Sequence, residues 1–125
     1  MTTIATLSMK DAIRIDVQRL EQIVGALGED CAAQVICTAL EELALALRHT
    51  VIAAQNDDLG AIVRHADQLS RLAWQVGLVT LAGVAVDVGA CAEARDSIAL
   101  ASTVARLQRT GNQSLTQLWD PANAP

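Results

Sequence analysis

The stretch that most constrains this chain runs from Asp58 to Leu81, DLGAIVRHADQLSRLAWQVGLVTL. Ile62, Ala66, Leu69, Ala73 and Val76 succeed one another at steps of four, three, four and three. Side chains at those steps share one side of an α-helix. The spacing therefore predicts a helix from Leu59 to Val76 with one buried stripe. Gly77 ends it in the position where a left-handed residue closes a helix. The only prolines are Pro121 and Pro125, so none interrupts a helix before Asp120. Ala and Leu dominate and favour helix. No apolar–polar alternation is sustained, and the fold is expected to be all-α.

The flanking segments repeat the pattern. Ile13, Val17, Leu20 and Val24 predict a short amphipathic helix from Ile13 to Ala26, with Gly25 and Gly28 at its end. Glu29 to Gln55 is the longest helix. Acidic residues open it, where negative charge suits the helix dipole. Its stripe is Ile36, Leu40, Leu43, Leu47 and Val51. Asn56, Asp57 and Asp58 supply a turn and an N-cap. Thr80 is expected to cap the next helix, which reaches about Glu93, with Gly83 and Gly89 admitting a close neighbour. Asp96 or Ser97 caps the last helix, which Gly111-Asn112 weakens or kinks. Short linkers make sequential helices antiparallel neighbours. The expected architecture is an up-down-up-down antiparallel four-helix bundle with a short N-terminal capping helix. It occupies residues 12–119, between a disordered N-terminus (1–11) and a disordered tail (120–125).

The core must be aliphatic, because the chain has two Trp and neither Phe nor Tyr. The net charge of −5 argues against nucleic acid, which requires a basic stripe. It argues equally against an anionic membrane surface. The longest uncharged run, Leu72 to Val86, is too short to span a bilayer. No basic start precedes an apolar signal segment, so a cytoplasmic location is expected. Cys31, Cys37 and Cys91 lack metal-ligand spacing and are expected as small buried hydrophobes in a reducing compartment.

Catalytic and metal signatures are missing from the sequence. There is no Gly-rich phosphate loop, no Cys pair at zinc spacing, and no Glu-x-x-His pair of the kind that metal-binding bundles carry on facing helices. No metal, cofactor or enzymatic activity is expected. His49 lies near the end of the long helix, where a partly positive imidazole suits the dipole.

The run HADQLSRLAWQVGLVTLA resembles the centre of a histidine-containing phosphotransfer (HPt) domain. That family carries a pattern written roughly as Ala-His-x-Leu-Lys-Gly, then small residues, Leu/Val-Gly, and x-x-x-Leu-Ala. Gly77 takes the Gly place, Val76 the residue before it, and Leu81-Ala82 the Leu-Ala pair. Leu69 takes the Leu two places after the phosphorylated His, and Ala66 the small residue before that His. The segment IDVQRLEQIVGALGED resembles the family's N-terminal helix and turn. The resemblance covers most of residues 13 to 108. It implies a protein of two-component phosphorelay signalling whose partner is a receiver domain or a histidine kinase.

The departures fall on the active face. Asp67 occupies the place of the phosphorylated His, Ser70 that of Lys or another polar residue, Arg71 that of Gly, and Trp74 that of a small residue. A phosphotransfer His works through an exposed, nucleophilic ring nitrogen, which Asp67 does not possess. His65 lies two residues earlier, about 200° around the helix, toward a helix–helix seam. Three readings follow. In the first, the HPt-like bundle has lost its phosphorylatable His and binds its partner, or a second copy of itself, through Arg64, Asp67, Ser70, Arg71 and Trp74. Tryptophan and arginine are the residue types most often found at binding hot spots; for Trp74 the alternative is partial burial against the long helix. In the second, His65 carries phosphate in an altered register. In the third, the chain is a structural or oligomerising helical bundle.

Overall fold

A computed structural model of the chain describes residues 13–119. The segments expected to be disordered, 1–11 and 120–125, lie outside the described residues. The described secondary structure comprises five helices: α1 (Val17–Leu27), α2 (Glu29–Gln55), α3 (Leu59–Gln75), α4 (Val79–Glu93) and α5 (Ser97–Trp119). Among the described residues there is no strand, only an isolated antiparallel bridge between Ile15 and Leu78. Each helix packs on the next, and α5 also returns to α2 along a sparser seam. No helix among them is long and apolar enough to cross a membrane.

Local chemistry accounts for most boundaries. Glu29 and Asp30 occupy the first turn of α2. Asp57 reverses the chain after α2 with a φ of 54°, a conformation that a short polar side chain tolerates. The Asp58 side chain then accepts from the Ala61 N–H at 3.1 Å and caps α3. Asp96 does the same for α5, accepting from the Ala99 N–H at 3.1 Å. The core is aliphatic, built around Leu43, Ile62, Leu69, Leu81, Val88 and Leu107, all essentially inaccessible.

The first helix starts later than its apolar spacing implies, at Val17 rather than Ile13. Asp16 is extended and becomes the N-cap, its side chain accepting from the Arg19 N–H at 3.2 Å. The residues before it are drawn into the α3–α4 turn. The Asp16 N–H donates to the Gly77 carbonyl at 2.7 Å, and the Arg14 N–H donates to Thr80 Oγ1 at 2.7 Å. Thr80 is thus engaged by the N-terminal strap and does not cap α4, whose N-cap is Leu78. Gly77 is required twice. Its φ is +78°, and a Cβ there would sit 2.7 Å from the Asp16 carbonyl oxygen.

Other glycines and the cysteines also depart from expectation. α5 runs unbroken through Gly111 and Asn112. Gly111 is a packing glycine: a Cβ would meet Leu47 Cδ2 at 2.6 Å, so its absence lets α5 approach α2. Gly83 has nothing within 4 Å of a notional Cβ, and Gly89 makes only ordinary contact, with Ala66 Cβ at 3.9 Å. Neither glycine is needed for close approach. Cys31 is exposed, and Cys37 and Cys91 are half-buried, so none is a fully buried hydrophobe. The helical period turns Cys31 outward, one residue from the buried Ala32.

Two expected outcomes follow. Gly77→Ala combines a disfavoured backbone conformation with displacement of the Asp16 carbonyl, and should lower the unfolding free energy by about 2–3 kcal/mol. Ser114 is fully buried on α5, and its hydroxyl has no hydrogen-bond partner among the described residues. Ser114→Ala removes that unsatisfied group and should raise stability by about 1 kcal/mol. Urea titration reads both as opposite shifts of the midpoint at constant slope.

Candidate surface on the third helix

α3 divides its residues cleanly. Ala61, Ile62, Ala66, Leu69 and Ala73 are buried. Three of those five are alanines, which lets α2 and α4 approach the α3 backbone closely. The opposite side carries Arg64, Asp67, Arg71 and Trp74, all exposed. These four stand at steps of three, four and three, so they form one outward row along the helix.

Within the row, Arg71 Nη2 lies 3.1 Å from Asp67 Oδ2, with the two side chains 70% and 63% exposed. The pair is well solvated and adds little to stability. Ser70 is half-buried, and its hydroxyl donates to the Asp67 carbonyl at 2.8 Å. It therefore borders the row with its hydroxyl proton already engaged. Trp74 is 64% exposed. It lines a cleft of about 270 Å³ with Asp16, Arg19, Gln75, Gly77 and Val79. Arg19 Nε donates to the Gln75 carbonyl at 2.9 Å, satisfying an acceptor at the end of α3. The row thus ends at an aromatic ring with a third guanidinium, that of Arg19, across a cleft.

His65 stands elsewhere. It is half-buried, and its ring faces that of His49 on α2, with centroids 5.1 Å apart and planes tilted by 53°. His65 and Asp67 thus occupy different sides of α3, and no described contact joins them. Among the described residues no group of three or more His, Cys, Asp or Glu side chains is placed to hold a metal.

Periodicity alone did not reveal two features. Arg19 joins Trp74 only because the N-terminal strap docks on Gly77. The His49–His65 contact crosses the α2–α3 hairpin. A signal for it did exist, since both residues lie eight positions from Asp57, the residue that reverses the chain.

No protein-family model matches the chain, and neither a characterised protein nor a solved structure does so. Replacing Arg71 by Ala breaks a solvated pair and should change the unfolding free energy by less than about 0.5 kcal/mol. Thermal or urea denaturation checks this, and a small value identifies Arg71 as dispensable for folding.

Proposed function

We propose that this chain is an HPt-like bundle that binds a receiver domain or a histidine kinase through the outward row of α3 without itself carrying phosphate. The observation that carries the reading is Trp74. A large aromatic ring stands in water beside Asp67 and Arg71, on a helix whose buried residues fit the spacing of the HPt pattern. Ala66 and Leu69 are buried, Gly77 turns the chain with a positive φ, and Leu81 is buried in the following helix. In this reading α2 to α5 form an up-down-up-down antiparallel bundle, capped by α1. The short turns and the return of α5 to α2 support that arrangement.

The altered row suits binding better than phosphoryl transfer. Asp67 offers a carboxylate where a phosphocarrier presents an imidazole nitrogen, and it is already engaged by Arg71. Arg71 adds bulk where the family keeps a glycine, so a partner would meet a guanidinium and an indole. Both groups anchor interfaces well, through bidentate hydrogen bonds and through apolar area at low entropic cost. Half-burial of His65 against His49 supports a structural role for that residue. The chain then acts as an adaptor or competitor in two-component signalling, without a cofactor.

Treatment with phosphoramidate followed by intact-mass measurement separates the readings. No adduct is expected while an established HPt domain labels alongside. An acid-labile, alkali-stable adduct that disappears in His65→Ala would overturn the proposal in favour of a phosphocarrier. Titration against a panel of receiver domains and kinase fragments should give at least one saturable complex. Trp74→Ala should weaken that complex by roughly thirtyfold, the loss typical of a hot-spot aromatic.

A further inference from the structure

α2 carries a second stripe in addition to the one that faces the core. Val35, Thr38, Glu42, Leu45, His49 and Ile52 succeed one another at steps of three, four, three, four and three, and all six are exposed. Val35, Leu45 and Ile52 are 43%, 53% and 40% exposed, respectively. This is the spacing of a coiled-coil seam, and among the described residues its contact with another helix is that of His49, whose ring edges the seam against His65 of α3.

The charges beside the seam identify what fits it. Glu41 and Glu42 lie in its first half, and Arg48 and His49 in its second. Among the described residues neither Glu41, Glu42 nor Arg48 has an ion-pair partner. On α2 itself, steps of three and four from each of them reach no opposite charge. The pattern is complementary to its own reverse. When two α2 helices run antiparallel, Val35 meets the partner's Ile52, Thr38 meets the partner's His49, and Glu42 meets the partner's Leu45. Glu41 then lies opposite the partner's Arg48, and two-fold symmetry repeats each contact. A parallel pairing would instead stack Glu42 on Glu42 and put Glu41 and Arg48 each on the opposite side of the seam from its own copy, with no opposite charge to meet. Like charges in register are costly, so the antiparallel pairing is selected.

We infer that the outer face of α2 is the interface through which two copies of this chain form an antiparallel, two-fold-symmetric dimer. The seam from Val35 to Ile52 is about 26 Å long. An interface one helix wide lies at the low end of specific interfaces, so dissociation constants of about 1–100 µM are expected. Trp74 lies about 180° around α3 from His65, the residue that contacts α2. The dimer therefore leaves the outward row of α3 open, and it holds whether or not the phosphorelay reading does.

Sedimentation velocity on the full chain, from about 1 µM to about 1 mM, tests the inference. Wild type should shift from monomer to dimer across that range. Leu45→Glu should stay monomeric throughout, with an unchanged helical circular dichroism spectrum, because Leu45 is exposed in the protomer. Glu41→Arg and Arg48→Glu should each weaken the dimer about tenfold or more, and combining the two should restore it to within about threefold of wild type. Three results would each overturn the proposal: a wild type that remains monomeric, a Leu45→Glu variant that dimerises like wild type, or a combined variant no tighter than either single substitution.

Discussion

The arrangement of this protein depends on one backbone contact, between Asp16 and Gly77. The Asp16 N–H donates to the Gly77 carbonyl at 2.7 Å, and the Asp16 carbonyl lies where any Cβ on residue 77 would be. Around it, Arg14 donates to Thr80 and Arg19 donates to Gln75. The same few residues thus start α1, end α3 and hold the beginning of α4. Helix ends leave backbone groups unsatisfied, and here the N-terminal segment supplies partners that water would otherwise provide. The cleft beside Trp74 exists because of this docking.

The two sides of α3 differ sharply in chemistry. Its buried side is apolar and rich in alanine, so neighbouring helices pack closely on it. Its outward side is free of packing constraints, yet it presents a tryptophan with two arginines in the same row and a third, Arg19, across the cleft. Surfaces selected only for solubility have no need of an exposed indole. α2 is likewise two-sided, with its core row facing the protomer and its second row facing water. The two outward surfaces lie on different helices, so the proposed dimer and the proposed partner would not compete.

Much of the fold was legible because helical periodicity is a local property. The bounds of α2, the buried row of α3, the reversal near Asp57 and a cap at Asp96 or Ser97 all follow from side chains within a few residues of one another; the structure chose Asp96. The outward placement of Asp67 and Arg71 follows from the same arithmetic, whereas the spacing left Trp74 open between exposure and packing on the long helix, and the structure exposes it. The misreadings involved distant parts of the chain. Ile13 to Asp16 have helical spacing, but backbone pairing with the α3–α4 turn holds them extended. Thr80 has the chemistry of a cap, but Arg14 reaches its hydroxyl first. Gly111 reads as a breaker, yet it sits inside a continuous helix because Leu47 fills the space a side chain would need.

The sequence by itself determined that this chain is helical, where most helices begin and end, and which side of the central helix turns inward; the stripe it marks on the first helix is largely exposed, with Val17 and Val24 in water. Those properties depend on contacts within one or two turns, where composition and spacing act directly. Only the tertiary structure decided that the N-terminal strap docks on Gly77, that Arg19 joins Trp74 and that His65 meets His49. Each of these joins residues brought together by folding, and no local preference encodes a contact whose partner lies on another helix.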